Sequence, residues 1–146
     1  MKIFCLVLLL WGAHCSYAQN KVKWVLDFDS ERKCLQVKGE IDDGWHLYSL
    51  KTDPNAGPIP VQIQSKKSKC FRTKGSFIEK NDAIKVFDAN FDSDVYIFDK
   101  NYLAEQKIKL KKETLLEVTV TYMTCNDQMC LPPIDKLLSI KLNLNE

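Results

Sequence analysis

The sequence has 146 residues, 45% of them hydrophobic, and a formal net charge of +2 at pH 7. A chain so close to neutrality is not drawn strongly to nucleic acid or to an anionic membrane surface, so we expect neither as a partner. Its length suffices for one domain with its own hydrophobic core.

The first 18 residues have the pattern of a signal peptide. Met1-Lys2 gives a positive start, an apolar stretch runs from Ile3 to Trp11, and Ser16-Tyr17-Ala18 places small residues where a signal peptidase binds. The apolar stretch is too short for a membrane span, which needs about 20 residues. We therefore expect cleavage before Gln19, export without stable membrane insertion, and one domain over residues 19–146.

Alternating apolar and polar residues predict β-strands along the rest of the chain, and no long stretch has a helical period. Several short strands separated by turn signals are typical of an all-β protein, an antiparallel β-sandwich. The alternating segments lie at 22–29, 61–64, 107–111, 116–122 and 138–144, and the turn signals lie at 42–44, 53–58 and 74–75.

Two cysteines, Cys125 and Cys130, lie between the last two predicted strands. Residues that face each other in a hairpin have Cα atoms about 4.5 to 5.5 Å apart, which is within the range of a disulfide. A reversible disulfide between these cysteines is therefore expected on the hairpin. Cys125 is in phase with the polar set of its strand, which predicts a sulfur that points toward solvent or a light cover.

The residues around the two cysteines are expected to shape the loop. Asn126 and Asp127 would provide its hydrogen bonds, and the charge of Asp127 would disfavour a neighbouring thiolate. Pro132 and Pro133 have no N–H donor, so they would stop strand pairing and leave the site open.

The spacing of the cysteines leaves two other functions open. A non-catalytic exported sandwich that binds protein or glycan would use Cys125 and Cys130 as a fixed structural disulfide. A soft-metal site would draw on Met123, Met129 and His46 as well. No ordered set of four ligands emerges, so we predict neither a metal nor a cofactor.

Three further residues have structural interpretations. His46 lies among apolar and aromatic neighbours, which favours a structural histidine over a general base. Cys34 and Cys70 lie near predicted strands and are a candidate structural disulfide if their Cα atoms approach within about 7 Å. The alternative is a pair of buried free thiols.

Four segments, in this order along the chain, resemble the family of N-terminal periplasmic domains of the thiol:disulfide interchange protein DsbD. They are Trp24, the string Gly44-Trp45-His46-Leu47-Tyr48-Ser49, the segment Gly57-Pro58-Ile59-Pro60, and the stretch from Tyr122 to Pro133. The resemblance covers nearly all of the expected mature chain. It implies an immunoglobulin-like fold and a location in the periplasm.

The resemblance also implies an activity, that of a protein-disulfide reductase that carries reducing equivalents. Thioredoxin-like proteins would be both electron donor and electron acceptor. Cys130 would form the mixed disulfide with a partner, and Cys125 would resolve it. The 146 residues contain neither a multi-span membrane region nor a thioredoxin-like domain, so the resemblance implies that the electron source is another polypeptide. A separate DsbD-type membrane reductase is one candidate.

In this family a loop caps the cysteine pair, and the resemblance places that loop near residues 87–91. Phe87, Asp88 and Phe91 are the candidate cap residues, with either phenylalanine as the lid or as ordinary core. Glu79 and Asp82 are expected close by.

Overall fold

The computed structural model describes residues 20–144, and its regular elements are all β-strands. The signal peptide predicted for residues 1–18 lies outside the described residues. Between residues 20 and 144 there is no helix with the length and apolar character needed to cross a membrane. In chain order the strands are β1 (Val22–Asp29), β2 (Cys34–Ile41), β3 (His46–Tyr48), β4 (Gln62–Ser65), β5 (Phe71–Glu79), β6 (Ile84–Asp88), β7 (Ser93–Phe98), β8 (Asn101–Leu110), β9 (Thr114–Tyr122), β10 (Thr124–Cys125) and β11 (Ile134–Leu142).

The strands form three antiparallel sheets. The first has the order β1-β2-β8-β5, the second β10-β3-β7-β6, and the third β11-β9-β4. The main core draws most of its buried side chains from the first and third sheets, which therefore pack face to face. The predicted antiparallel β-sandwich is confirmed.

The period-two patterns placed the core residues correctly. In β9 the apolar set is buried and the polar set faces outward, as expected for a strand with one face on the core. Burying a Val, Leu or Ile side chain contributes about 1.5–3 kcal/mol, so this strand is a large part of the driving force for folding. The buried members of β9 are Leu116, Val118, Val120 and Tyr122.

One predicted turn, at Lys74-Gly75, is wrong. These residues lie inside β5, where the pairing with β8 shifts register between Lys74 and Ile78. Gly75 has φ 72°, a conformation that favours glycine, and its carbonyl accepts a hydrogen bond of 2.7 Å from Gln106 Nε2. The glycine therefore marks a β-bulge rather than the end of a strand.

Strand β3 divides its side chains between two clusters of buried residues. Leu47 is fully buried in the main core. Tyr48 points to the opposite face, because successive side chains of a strand alternate. There it forms a second, smaller cluster with Val95, Ile97, Met123 and Cys125. This second cluster lies on the β10-β3-β7-β6 sheet and surrounds the cysteine pair.

Candidate functional site

Cys125 and Cys130 form a disulfide at the end of the hairpin that joins β9 to β11. The two residues lie directly opposite each other as an antiparallel bridge, with their Cα atoms 4.0 Å apart. Two backbone hydrogen bonds of 2.9 Å flank the bridge, from Asn126 N to Met129 O and from Leu131 N to Thr124 O. The hairpin therefore holds both sulfurs in place from each side.

Asn126 organises the four residues between the cysteines. Its Oδ1 accepts hydrogen bonds from the backbone N–H groups of Gln128, at 2.9 Å, and Met129, at 2.8 Å. This arrangement replaces backbone partners that a tight loop cannot supply. Asp127 is exposed at the tip of the loop.

Cys125 is expected to point toward solvent or a light cover rather than the core, but it is fully buried and belongs to the second cluster of buried residues. The chain passes at Met123 from β9, in the third sheet, to β10, in the second sheet. The alternation of β9 therefore does not continue to Cys125. Cys130 is only partly buried and packs against the same cluster. The two cysteine residues of one disulfide thus differ in burial.

Pro132 and Pro133 are exposed and lie between the cysteine bridge and β11. Strand pairing is interrupted there and resumes where Ile134 pairs with Tyr122. Neither proline can donate a backbone hydrogen bond, so this side of the hairpin stays unpaired.

A chain of polar side chains runs beside the disulfide. Tyr48 Oη donates a 2.6 Å hydrogen bond to Asp88 Oδ2, and His46 Nε2 lies 3.1 Å from Tyr48 Oη. His46 is also the residue directly opposite Cys125 in the pairing of β3 with β10. Asp88 is buried at 6% exposure, so its carboxylate depends on these protein partners for solvation.

Burial shifts the proton affinities of this network. It lowers the pKa of His46 below its usual 6.5, although the carboxylates of Asp88, Asp127 and Asp99 act in the opposite direction. Burial, together with the hydrogen bond to Asp88, raises the pKa of Tyr48. His46 is therefore neutral and Tyr48 protonated at neutral pH.

The two phenylalanines of the candidate cap have different surroundings. Phe87 is 64% exposed on β6. Phe91 packs against the second cluster, with its ring edge-on to Tyr48 at a centroid distance of 6.0 Å. The segment that carries Phe91 also contacts the hairpin, because Asn90 Nδ2 donates a 3.3 Å hydrogen bond to the Asn126 carbonyl. Of the two rings, Phe91 is therefore the one beside the cysteine pair.

Asp88 holds the start of the segment that leads to Phe91. Its Oδ1 accepts a 2.8 Å hydrogen bond from the backbone N–H of Asn90. Its carbonyl accepts one of 3.3 Å from the N–H of Phe91. The same carboxylate thus links the cap segment to Tyr48.

Cys34 and Cys70 are free thiols, which corrects the candidate structural disulfide. Cys34 lies opposite Lys107 of β8, and Lys107 in turn lies opposite Lys74 of β5. The two cysteines are therefore separated by two strand spacings, about 9.6 Å, and by four further residues along the chain from Lys74 to Cys70, which directly precedes β5. This exceeds the Cα distance of about 7 Å that a disulfide can bridge. Cys34 is buried, whereas Cys70 is partly exposed.

Glu79 and Asp82 are the two remaining residues expected near the cap. Glu79 accepts hydrogen bonds from the Ser49 hydroxyl and from the backbone N–H of Leu50, so it stabilises the chain after β3. Asp82 is exposed between β5 and β6. Within residues 20–144, no group of three or more His, Cys, Asp or Glu side chains is arranged to hold a metal ion.

Within residues 20–144, fold and site together define an all-β domain with a disulfide at a hairpin end, beside a polar network and an aromatic ring. Residues 17–142 match the family described as "Thiol:disulfide interchange protein DsbD, N-terminal". The match covers most of the sequence, so the chain belongs to this family. A search of curated proteins gave no match.

Solved structures agree with this family in fold. The N-terminal domain of Neisseria meningitidis DsbD in the reduced form aligns over 84% of this chain and 86% of its own, with a TM-score of 0.63 and 15% identity. The same domain in complex with the PilB N-terminal domain of that organism aligns over 80% of both chains, with a TM-score of 0.52 and 14% identity. The N-terminal periplasmic domain of Proteus mirabilis ScsB aligns over 86% of this chain and 46% of its own, with a TM-score of 0.53 and 19% identity. The fold is immunoglobulin-like, as the resemblance implied.

Sequence reasoning missed part of this site. The sequence favours a structural role for His46 and predicts none for Tyr48. In the fold His46 lies opposite Cys125, and Tyr48 belongs to the same buried cluster as Cys125. The alternation of His46, Leu47 and Tyr48 already places the two polar rings on one face. The pairing of β3 with β10 cannot be inferred from the sequence pattern, because it joins residues almost 80 positions apart.

Proposed function

We propose that this protein exchanges disulfides with thioredoxin-like proteins through Cys125 and Cys130, as a protein-disulfide reductase that passes on reducing equivalents. The observation that carries the proposal is the unequal burial of the two cysteine residues within one cross-strand disulfide. Thiol–disulfide exchange needs one sulfur that an incoming thiolate can reach and a second held nearby to leave and return. Partly buried Cys130 and fully buried Cys125 meet these two needs.

The proposal assigns a role to each cysteine. Cys130 forms the mixed disulfide with the partner, because it is the less buried of the two cysteine residues. Cys125 resolves that intermediate, because the bridge keeps it opposite Cys130 and buried away from competing thiols. The family's part in thiol:disulfide interchange supports the exchange activity itself.

We place this activity in the periplasm, with residues 1–18 as a cleaved signal peptide and residues 19–146 as the functional domain. The related ScsB domain is periplasmic, which supports this location. The complex of a DsbD N-terminal domain with the PilB N-terminal domain supports protein partners that bind at such a site. A separate DsbD-type membrane reductase, acting through a thioredoxin-like domain, is our candidate electron source.

We assign the cap to Phe91, with Asp88 and Asn90 anchoring the segment that carries it. The cap would shield the cysteines from small thiols and move aside for a protein partner. Its contact with Tyr48 supports this role, since the same ring meets the cluster that contains Cys125.

Trapping the mixed disulfide tests the proposal. In Cys125→Ser the resolving thiol is absent, so Cys130 should displace thionitrobenzoate from a thioredoxin that lacks its own resolving cysteine and carries its remaining cysteine as a thionitrobenzoate disulfide. The resulting mixed disulfide should persist on a non-reducing gel. Cys130→Ser should accumulate little adduct. Cys70→Ser is the matched control, since that thiol is free and outside the site, and it should exchange as the parent does.

Two results would count against the proposal. An adduct in Cys130→Ser and none in Cys125→Ser would reverse the two roles. No adduct in either variant would indicate a fixed structural disulfide.

A further inference from the structure

The position of His46 relative to Cys125 suggests more than a structural role for this histidine. The two residues are directly opposite each other where β3 pairs with β10. Opposed residues of an antiparallel pair project their side chains to the same face, with Cβ atoms about 4.5–5.5 Å apart. The imidazole and the sulfur therefore share one face of the sheet.

The hydrogen bonds of Tyr48 determine which imidazole nitrogen carries the proton. Asp88 is a carboxylate and can only accept, so the 2.6 Å bond uses the single hydroxyl proton of Tyr48. Toward His46 Nε2, at 3.1 Å, the Tyr48 oxygen must then act as acceptor. His46 is consequently the donor through Nε2–H, and its Nδ1 keeps a free lone pair.

Cys125 needs a proton acceptor more than an exposed cysteine does. It is fully buried among Met123, Val95 and Ile97. A thiol in such surroundings resists ionisation, because no water stabilises the thiolate. A neutral base on the same face would remove the proton as the sulfur attacks.

We propose that His46 accepts the thiol proton of Cys125 when the intramolecular disulfide closes and returns it to the departing partner. This inference rests on the proposed function. The Cys125 sulfur, losing its proton to His46 Nδ1, forms a bond to the Cys130 sulfur. The bond between Cys130 and the partner breaks, and two electrons leave with the partner's sulfur. That thiolate takes the proton from the imidazolium, which restores neutral His46.

The charged groups around His46 suit this role. Asp88 of β6 lies 3.9 Å from Nε2, and the charges of Asp127, in the cysteine loop, and Asp99, just after β7, also act on the ring. All three would stabilise an imidazolium once it forms. Desolvation has the larger, opposite effect and keeps the resting ring neutral. The ring can therefore both take up a proton and release it.

Ring closure can be measured with glutathione disulfide as the oxidant of the reduced protein. Rapid quenching and mass spectrometry separate formation of the Cys130–glutathione adduct from its closure to the internal disulfide. His46→Gln should slow closure at pH 7 by about a hundredfold, the lower end of the range of general base catalysis. Adduct formation should change little, because it takes place at Cys130.

The pH profile distinguishes proton transfer from a structural role. Closure in the parent should show an inflection from His46 that is absent in His46→Gln. Asp88→Asn removes a charge that raises the pKa of His46, so it should keep this inflection and move it to lower pH. Equal closure rates and profiles in parent and His46→Gln would overturn the inference, while adduct trapping with Cys125→Ser would still support the proposed function.

A second measurement needs no variant. His46 is the one histidine in residues 19–146, so its ring nitrogens can be assigned in an NMR spectrum without ambiguity. At neutral pH the spectrum should show the tautomer protonated at Nε2, with Nδ1 free. The opposite tautomer would leave no base for Cys125 and would refute the inference even if His46→Gln fails to fold.

Discussion

The Phe91 ring lies 2.6 Å from where a Cβ atom would stand on Gly57. Gly57 also has φ 105°, a conformation that L side chains rarely adopt. Only glycine therefore lets the 53–58 loop approach the ring this closely. The loop contacts one part of Phe91, and Tyr48 contacts another. The aromatic ring beside the cysteines is thus held by two separate parts of the chain.

Replacing Phe91 by Ala should expose the cysteine pair. We expect the reduced cysteines of Phe91→Ala to react with iodoacetamide about tenfold faster, a change equivalent to about 1.4 kcal/mol. Phe87→Ala is the matched control, because Phe87 is exposed and outside the cluster. Time-resolved mass spectrometry of Cys125 and Cys130 gives both rates. Equal rates in the parent and both variants would show that Phe91 does not cap the site.

Gly57→Ala should displace the same ring without removing it. Its φ and the close approach of Phe91 together predict a loss of about 1–3 kcal/mol in the free energy of unfolding, and faster alkylation of the reduced cysteines. Gly44→Ala separates the two causes, since Gly44 has φ 78° but no atom within 4 Å of its Cβ position. It should lose stability through backbone strain alone and keep the parent's alkylation rate. Faster alkylation in Gly44→Ala as well would argue against a specific contact at Gly57.

Stability should depend on pH through His46. Burial lowers its pKa in the folded protein, so the unfolded chain binds the proton more readily below the usual value of 6.5. The free energy of unfolding should be highest above that pH and should fall as the pH drops below it. Asp27 and Asp29 affect the free energy of unfolding at lower pH than His46 does. Hydrogen bonds from Lys38 and Arg32 hold the pKa values of these carboxyl groups below the usual 3.8.

Urea unfolding between about pH 7.5 and 5 measures this dependence. In His46→Gln the decrease over this range should be smaller than in the parent. Identical slopes in the two proteins would mean that His46 titrates alike in the folded and unfolded states.

The two free cysteines should differ in reactivity. Cys34 is buried, and this burial raises the pKa of its thiol. Cys70 is partly exposed. With the Cys125–Cys130 disulfide intact, iodoacetamide should label Cys70 in the native protein and Cys34 only after unfolding. Peptide mapping identifies the labelled residues. The absence of both labels after unfolding would indicate a Cys34–Cys70 bridge.

Much of the fold could be predicted because it depends on local patterns. The alternation in β1, β9 and β11 identified strands and their buried faces without knowledge of their partners. The turn predicted at Lys74-Gly75 is wrong because a glycine with positive φ occurs in a β-bulge as well as in a turn. Only the pairing of β5 with β8 distinguishes the two.

The site was less predictable because long-range pairing builds it. The hairpin position of Cys125 and Cys130 follows from neighbouring segments, but the burial of Cys125 depends on a change of sheet at Met123. The contact of Tyr48 with Asp88 joins residues 40 positions apart. No periodicity carries that information, so the polar network could be recognised only in the folded chain.

The reduction potential of the Cys125–Cys130 disulfide tests the central claim most directly. Structural disulfides of exported proteins typically have potentials below about −300 mV, whereas exchange-active pairs are more readily reduced. Equilibration with thioredoxin, followed by alkylation and mass spectrometry, gives the value. We predict a potential above about −300 mV, with exchange complete under native conditions. A lower potential, without exchange with thioredoxin, would contradict the account and leave the disulfide as a structural cross-link.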